Sequence, residues 1–400
     1  MPKILITGNG FDLNFHLPTT YKDFINVLSS LEETDVYDLY NLFLHSFVDY
    51  NNLIKNYNNF DFDKNKIEKL INLTKSNLWF QFFKKELEIE TWIDFENKIE
   101  YVLENIFSSL TLLKKAVFNI NREHLSIYNL STLDTNIEHF EILNFFNLIS
   151  IQDKINHIWI FNPKFTIKKY DYFIDINSKK FFEFLENDLN QFKEIFNLYF
   201  SVFILPLYNH YKFDFDKKYF KNINYYFTFN YTPTFEKFHC SKIESHYLHG
   251  KIDSEKNNIV LGINDIPDDF DNKIYFLPFT KYYQKLNNNT DYHFLNQIDL
   301  YQQNYMFFFF GHSLDKSDED YINEVFDFIS NKKSKKSKIV VIYHNDDAKS
   351  KLLLNLLHIR GKKDIVEKMR KKTLVFCKMD SSELKKELEL DISNFTPVIL

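Results

Sequence analysis

Lys3-Ile4-Leu5-Ile6-Thr7-Gly8-Asn9-Gly10-Phe11-Asp12 is the stretch from which the rest of the chain is read. Its mostly apolar, β-favouring start runs straight into Gly8-Asn9-Gly10, the pattern of a short buried strand ending in a tight turn. A helical pattern follows from about Thr20, with Tyr21, Phe24, Ile25 and Leu28 at three-to-four spacing and Thr19 or Thr20 as N-cap. Strand, glycine turn and helix together bring backbone N–H groups to the carboxyl edge of a sheet, a place that phosphate favours. The full dinucleotide fingerprint is absent, because Leu13 occupies the third glycine position. Taken alone, the turn admits both a phosphate-binding reading and a purely structural one.

The strand signature returns after residue 220, at Tyr225–Phe229, Ser245–Leu248, Asn258–Leu261, Met306–Phe310, Ile339–Tyr343 and Thr373–Cys377. Helices fit between them at about Lys316–Ser330 and Ala348–Arg360, so the alternation predicts an α/β fold with a parallel, Rossmann-like sheet. Residues 34–220 recur mainly with helical period, most clearly over Leu78–Asn105, with a strand-like interlude at Trp159–Asn162 and Phe165–Ile167. The expected organisation is a sheet domain made of 1–33 and 221–400, split by a large, mostly helical insertion at 34–220.

The strand ends carry the residues capable of chemistry. Thr228-Phe229-Asn230 places a carboxamide after an apolar run, able to orient a water or a ribose hydroxyl or simply to form a turn. His249-Gly250 places an imidazole beside a glycine, a general base or a histidine bonded to nearby backbone. Gly311-His312-Ser313-Leu314-Asp315 and His344-Asn345-Asp346 close two more strands with glycine or helix-capping polar groups. Their joint occurrence at the ends of one set of strands points to a nucleotide crevice. Asp94 and Glu96 suit a nuclease less well, since residues two apart diverge on a helix, and they read as a solvated face beside Trp92 and Phe95.

Composition narrows the classes. The 400 residues include only six glycines, and five of them (Gly8, Gly10, Gly250, Gly262 and Gly311) stand at strand ends, with Gly361 as a helix terminator. An apolar content of 44% excludes wholesale disorder. Cys240 and Cys377 alone exclude a four-Cys zinc site and argue against a disulfide framework. No metal is expected, and no apolar run reaches the ~18–20 residues of a membrane helix. The N-terminus lacks a signal-peptide pattern, so a cytoplasmic protein is expected. The net charge of −6 is uneven, with 331–378 carrying a local +11 that includes the run Lys332–Lys338. That run reads as a solvated loop, with an anionic partner such as nucleic acid as the alternative.

Gly8-Asn9-Gly10-Phe11-Asp12 followed by Leu17-Pro18-Thr19-Thr20-Tyr21-Lys22-Asp23-Phe24 resembles the opening of AbiH-type bacteriophage abortive-infection proteins. Trp92-Ile93-Asp94-Phe95-Glu96, Phe229-Asn230-Tyr231-Thr232, His249-Gly250, Leu261-Gly262 and Gly311-His312-Ser313-Leu314-Asp315 keep the same order. Gly8/Gly10, Leu17-Pro18, Asn230, His249-Gly250 and Gly311/Ser313 also resemble a remote sirtuin-type plan. Asp12, His16 and Thr232 depart from it, standing where Ser, Gly and Asp are common.

These resemblances imply an antiphage effector that binds NAD and hydrolyses it, with Asn230 and His249 as catalytic residues. Gly8, Asn9, Gly10, Phe11, Asp12, Pro18, Thr19, Thr228, Gly311, His312, Ser313, Asp315 and Asn345 would contact the dinucleotide. The Gly8 and Gly10 amides would hold its diphosphate, and Asp12 would stabilise developing positive charge. The implied partners are a phage-derived trigger, a partner protein or a second copy of the chain. A non-catalytic nucleotide sensor or scaffold is the alternative.

Overall fold

The computed structural model describes residues 1–33, 63–86, 92–116, 126–127, 137–153, 158–169, 172–210, 220, 222–238, 242–252, 258–266, 273–288, 290, 294–295, 304–330 and 336–389. Strand β1 (Lys3–Thr7) runs into a single helical turn, α1 (Asn9–Leu13), and then α2 (Tyr21–Glu33). Thr20 caps α2 reciprocally with Asp23: its hydroxyl accepts the Asp23 amide at 3.0 Å, and Asp23 accepts the Thr20 amide at 3.2 Å. There follow α3 (Lys64–Ser76), α4 (Leu78–Lys85), α5 (Trp92–Ala116), β2 (Ser126–Ile127) and α6 (Ile137–Phe145). Next come β3 (Ile149–Asp153), β4 (Ile158–Phe161), β5 (Thr166–Lys169), β6 (Tyr172–Ile176), α7 (Ser178–Tyr199) and α8 (Leu207–His210). The chain then alternates: β7 (Tyr225–Thr228), α9 (Thr234–Phe238), β8 (Ser245–Tyr247), α10 (Lys281–Asn288), β9 (Met306–Phe310) and α11 (Glu319–Ser330). It continues through β10 (Lys338–Tyr343), α12 (Asp346–Arg370), β11 (Leu374–Lys378) and α13 (Ser382–Glu387).

Six strands form one parallel sheet in the order β11-β10-β9-β1-β7-β8. Numbered within the sheet alone, the order is 3-2-1-4-5-6, and it reverses between β1 and β9. Period-2 alternation sorts the side chains onto two faces. Leu5, Tyr226, Phe308, Phe310, Val340 and Ile342 face one core, which they share with apolar side chains of α2 to α7. Ile4, Ile6, Phe227, Phe307, Phe309 and Val341 face a second core made with α11 and α12. The central strands are therefore covered on both sides, as expected of continuous apolar runs in a parallel sheet.

Several predicted elements change form. Asn258–Leu261 is extended but is not a strand. Its Val260 amide donates to the His249 carbonyl, and its Leu261 amide to the Gln284 side chain, so a turn and a side chain replace a ladder. The periodic stretch Leu78–Asn105 is divided between α4 and α5, with Glu86 as the α4 C-cap. Asn77 caps α4 by accepting the Phe80 amide, and Asp188 on α7 accepts those of Leu78 and Trp79 at 2.9 and 3.1 Å. The strand-like interlude is real, and its β4 and β5 pair antiparallel with β2, β3 and β6 in two small sheets. Gly361 breaks the helix at φ +76°, yet a second helical segment continues to Arg370. Residues 332–335 of the basic run lie outside the described residues, and among those described no helix is long and apolar enough to cross a membrane.

Candidate functional site

The loops that follow β1 and β9 close on each other where the strand order reverses. The Gly8 amide donates to the Phe310 carbonyl at 3.2 Å and the Gly10 amide to the Gly311 carbonyl at 2.8 Å. A Cβ on Gly8 would lie 2.7 Å from His312 Cα, and one on Gly311, at φ +67°, would lie 2.1 Å from the Phe11 amide nitrogen. The missing Cβ atoms of these glycines are therefore what lets the two loops come into contact. The Gly8 and Gly10 amides, expected to cradle phosphate, both donate here to carbonyls at and just after the end of β9.

A cavity of about 490 Å³ opens at this edge, within the ordinary size of ligand sites. Of the predicted residues it brings together Gly8, Asn9, Gly10, Asp12, Asn230, His249, Gly311, His312 and Ser313. The others do not line it. The Phe11 ring packs edge-on against Phe15 and Phe310 in the core. The Pro18 carbonyl accepts the Tyr199 hydroxyl at 2.8 Å, and the Thr19 carbonyl accepts the Asn9 carboxamide at 3.0 Å. Thr228 accepts the Asn230 amide at 3.0 Å and so fixes the backbone that carries Asn230. Asp315 and Asn345 cap helical segments, accepting the Ser317 and Ala348 amides.

On one side of the cavity Asp12 is buried and accepts the hydroxyls of Thr232 and Thr234, the latter at 2.6 Å. The Tyr208 hydroxyl shares Thr234 at 2.7 Å. Burial pushes the Asp12 carboxyl up to about 6, opposed by the hydroxyls of Thr232 and Thr234 and by the nearby Asn230 carboxamide. Asn230 is itself buried, and its Nδ2, although near enough to influence Asp12, has no formed hydrogen bond.

The other side is charged. His249 Nε2 lies 3.1 Å from Asp318 Oδ1, His312 Nε2 lies 3.3 Å from Asp318 Oδ2, and Lys281 Nζ lies 3.6 Å from Oδ1. Lys281 also pairs with Glu96 at 2.7 Å. Burial lowers His249 to about 4, opposed by Asp318, while Lys281 and His249 hold Asp318 well below the usual carboxylate range against its own burial. Burial raises Glu96 to about 7, with Lys281 opposing.

Asp318, Lys281 and Glu96 were not legible as site residues. Asp318 sits in a run that reads as the acidic first turn of a helix, and Glu96 read as part of a solvated face. Glu96 is instead largely buried against Lys281 and lines the cavity. The side chains of Trp92, Asp94 and Phe95 lie outside the described residues. The pairing of Glu96 with Lys281 joins distant parts of the chain, so no local pattern marks it.

No curated protein and no solved structure matches the chain. The family model for bacteriophage abortive infection AbiH matches residues 4–343, a span that includes Asp12, Glu96, Asn230, His249, Lys281, His312 and Asp318. With a match over so much of its length, the chain belongs to the bacteriophage abortive infection AbiH family.

Proposed function

We propose that this protein is an antiphage abortive-infection effector that binds NAD and hydrolyses the bond between nicotinamide and ribose. The observation that carries the reading is Asn230, a buried carboxamide on the cavity wall whose Nδ2 lacks a formed hydrogen bond. Leaving such a group unpaired costs about 1–3 kcal/mol, which a ligand oxygen would offset. Family membership supports the defensive role. The strand order 3-2-1-4-5-6 supports the nucleotide, since doubly wound sheets bind dinucleotides where that order reverses. The resemblance to the sirtuin-type plan supports NAD in particular.

In this reading the cavity takes an elongated ligand. The nicotinamide half lies by Asn230 and His249, and the other half extends across the crossover toward Tyr343, His344 and Lys351. The diphosphate faces the Lys351 side chain in place of the occupied glycine amides. Asn230 orients the attacking water or the ribose. The water oxygen bonds to C1′, the C1′–N bond breaks with its electron pair going to nicotinamide, and His249 takes the water's proton. Asp12, its carboxylate held by two threonine hydroxyls, stabilises the positive charge that develops at C1′.

Incubation of the pure protein with NAD, followed by chromatography for free nicotinamide, tests the reading. Asn230→Ala and His249→Ala should each lower release by about 100-fold or more. Release that persists in both variants would sink the assigned site. A nucleotide sensor is the second reading, favoured by His249, which burial makes a weak base at about 4. Measurable NAD binding with no nicotinamide release would select it.

A further inference from the structure

Asp318 collects groups from several parts of the chain. His249 follows β8, His312 follows β9, and Lys281 opens α10, yet all three converge on this one carboxylate, whose side chain is 8% exposed. The Leu314 amide donates to His312 Nδ1 at 2.9 Å, so the His312 ring proton is on Nε2, directed at Asp318 Oδ2. Oδ1 is left for His249. Both Oδ1 and His249 Nε2 are buried; at 3.1 Å their alignment falls short of a full hydrogen bond, and neither atom has another hydrogen-bond partner among the described residues. The Phe229 ring lies beside both imidazoles, with centroids 5.1 Å from His249 and 4.2 Å from His312, and limits how far either ring can turn.

We propose that Asp318 is the positioning residue of His249: it keeps the ring proton on Nε2, turns Nδ1 toward the substrate, and stabilises the imidazolium formed when Nδ1 takes the proton of the attacking water. This rests on the reading of His249 as the base. The logic is that of a carboxylate fixing the tautomer of a catalytic histidine. His312 supports the same geometry by occupying the second carboxylate oxygen. The charged groups facing His249 are Asp318, which favours its protonation, and Lys281 and Lys285 from α10, which oppose it.

Glu96 extends the assembly to α5. Its carboxylate holds Lys281 at 2.7 Å, while Lys281 stays 3.6 Å from Asp318. Glu96 thus diverts the ammonium and leaves Asp318 available to His249.

The test uses the full chain with ¹⁵N-labelled imidazoles, the His249 signal being identified by its loss in His249→Gln. In the wild type at neutral pH, the His249 proton should reside on Nε2; in Asp318→Asn, the Nδ1-protonated tautomer should become populated. In parallel, nicotinamide release by Asp318→Asn should fall about 100-fold in kcat with KM within about threefold. An Nδ1-protonated wild type, an unchanged tautomer in the variant, or a loss confined to KM would overturn the proposal. A wild type that releases no nicotinamide would defeat the hydrolase reading, and the imidazole signals would still decide the role of Asp318. If Asp318→Asn does not fold, Glu96→Gln replaces it. With Lys281 released onto Asp318, that variant should show the same tautomer change to a smaller degree, and an unchanged tautomer would count against the proposal.

Discussion

Asp12 and Asp318 line the same cavity and are both buried, yet their environments push them in opposite directions. Asp12 is surrounded by neutral partners: two threonine hydroxyls and the Asn230 carboxamide. Burial wins there and lifts the carboxyl to about 6. Asp318 has an ammonium and two imidazoles, and they overcome its burial. The charge of the partners, rather than the number of contacts, decides the outcome. One wall of the cavity therefore carries a fixed anion, and the other a carboxyl that titrates just below neutrality. Paired groups driven apart in this way are how a site separates acid–base tasks.

The most severe way to break the comparison is to remove the cation. Lys281→Met leaves Asp318 and Glu96 buried without their ammonium, and should destabilise the fold by about 3–5 kcal/mol in urea denaturation. Adding Asp318→Asn should recover part of that loss, since the carboxylate left stranded in its charged form is removed. A cost for Lys281→Met no larger than that of a surface substitution would show that the imidazoles alone hold Asp318 down.

The pH dependence of Asp12 is a gentler probe. Its folded value, about 6, lies above the ordinary 3.8, so the folded state holds the proton more tightly than the unfolded chain does. The resulting stability is fully present below pH 3.8 and is lost as pH rises through about 6. Asp12→Asn removes that dependence. The stability of the wild type relative to Asp12→Asn should fall by about 2.4 kcal/mol between pH 4 and pH 7, as measured by urea midpoints. A constant difference across that range would show that Asp12 keeps an ordinary carboxylate affinity.

The same contrast explains what could be read from the sequence. The wall bearing Asp12 and Asn230 was largely legible, because short strands end in residues whose types stand out locally: Gly8, Gly10, Asp12 and Asn230. Even there the reason for the glycines was not. Their missing Cβ atoms admit a neighbouring loop from β9, which no reading of residues 8–10 reveals. The Asp318 wall was half legible. His249 and His312 follow apolar runs, but Asp318, Lys281 and Glu96 look like ordinary helical charges until the fold buries them together. Helix α10 hides its role most fully, since Lys281, Gln284 and Lys285 point inward while Tyr282, Tyr283 and Leu286 are exposed, the reverse of the usual amphipathic pattern. Parallel pairing of strands is set by apolar runs that survive in the sequence, whereas long-range ion pairs depend on which helix ends arrive together.

The finest test acts on a single hydroxyl. Thr234→Val keeps the side-chain shape and removes the donor that reaches Asp12 at 2.6 Å, together with the Tyr208 partner. A hydrogen bond to an ionised carboxylate is worth more than one to a neutral carboxyl, so the cost should depend on whether Asp12 is charged. Above the Asp12 midpoint, at pH 8, the variant should lose about 2 kcal/mol, and below it, at pH 5, about 1 kcal/mol. Thr232→Val should follow the same pattern, because its hydroxyl also bonds Asp12. A substitution that breaks only a neutral contact would cost the same at both pH values. Equal costs for both variants would mean that Asp12 does not change charge in this range, and the two aspartates would then no longer be opposites.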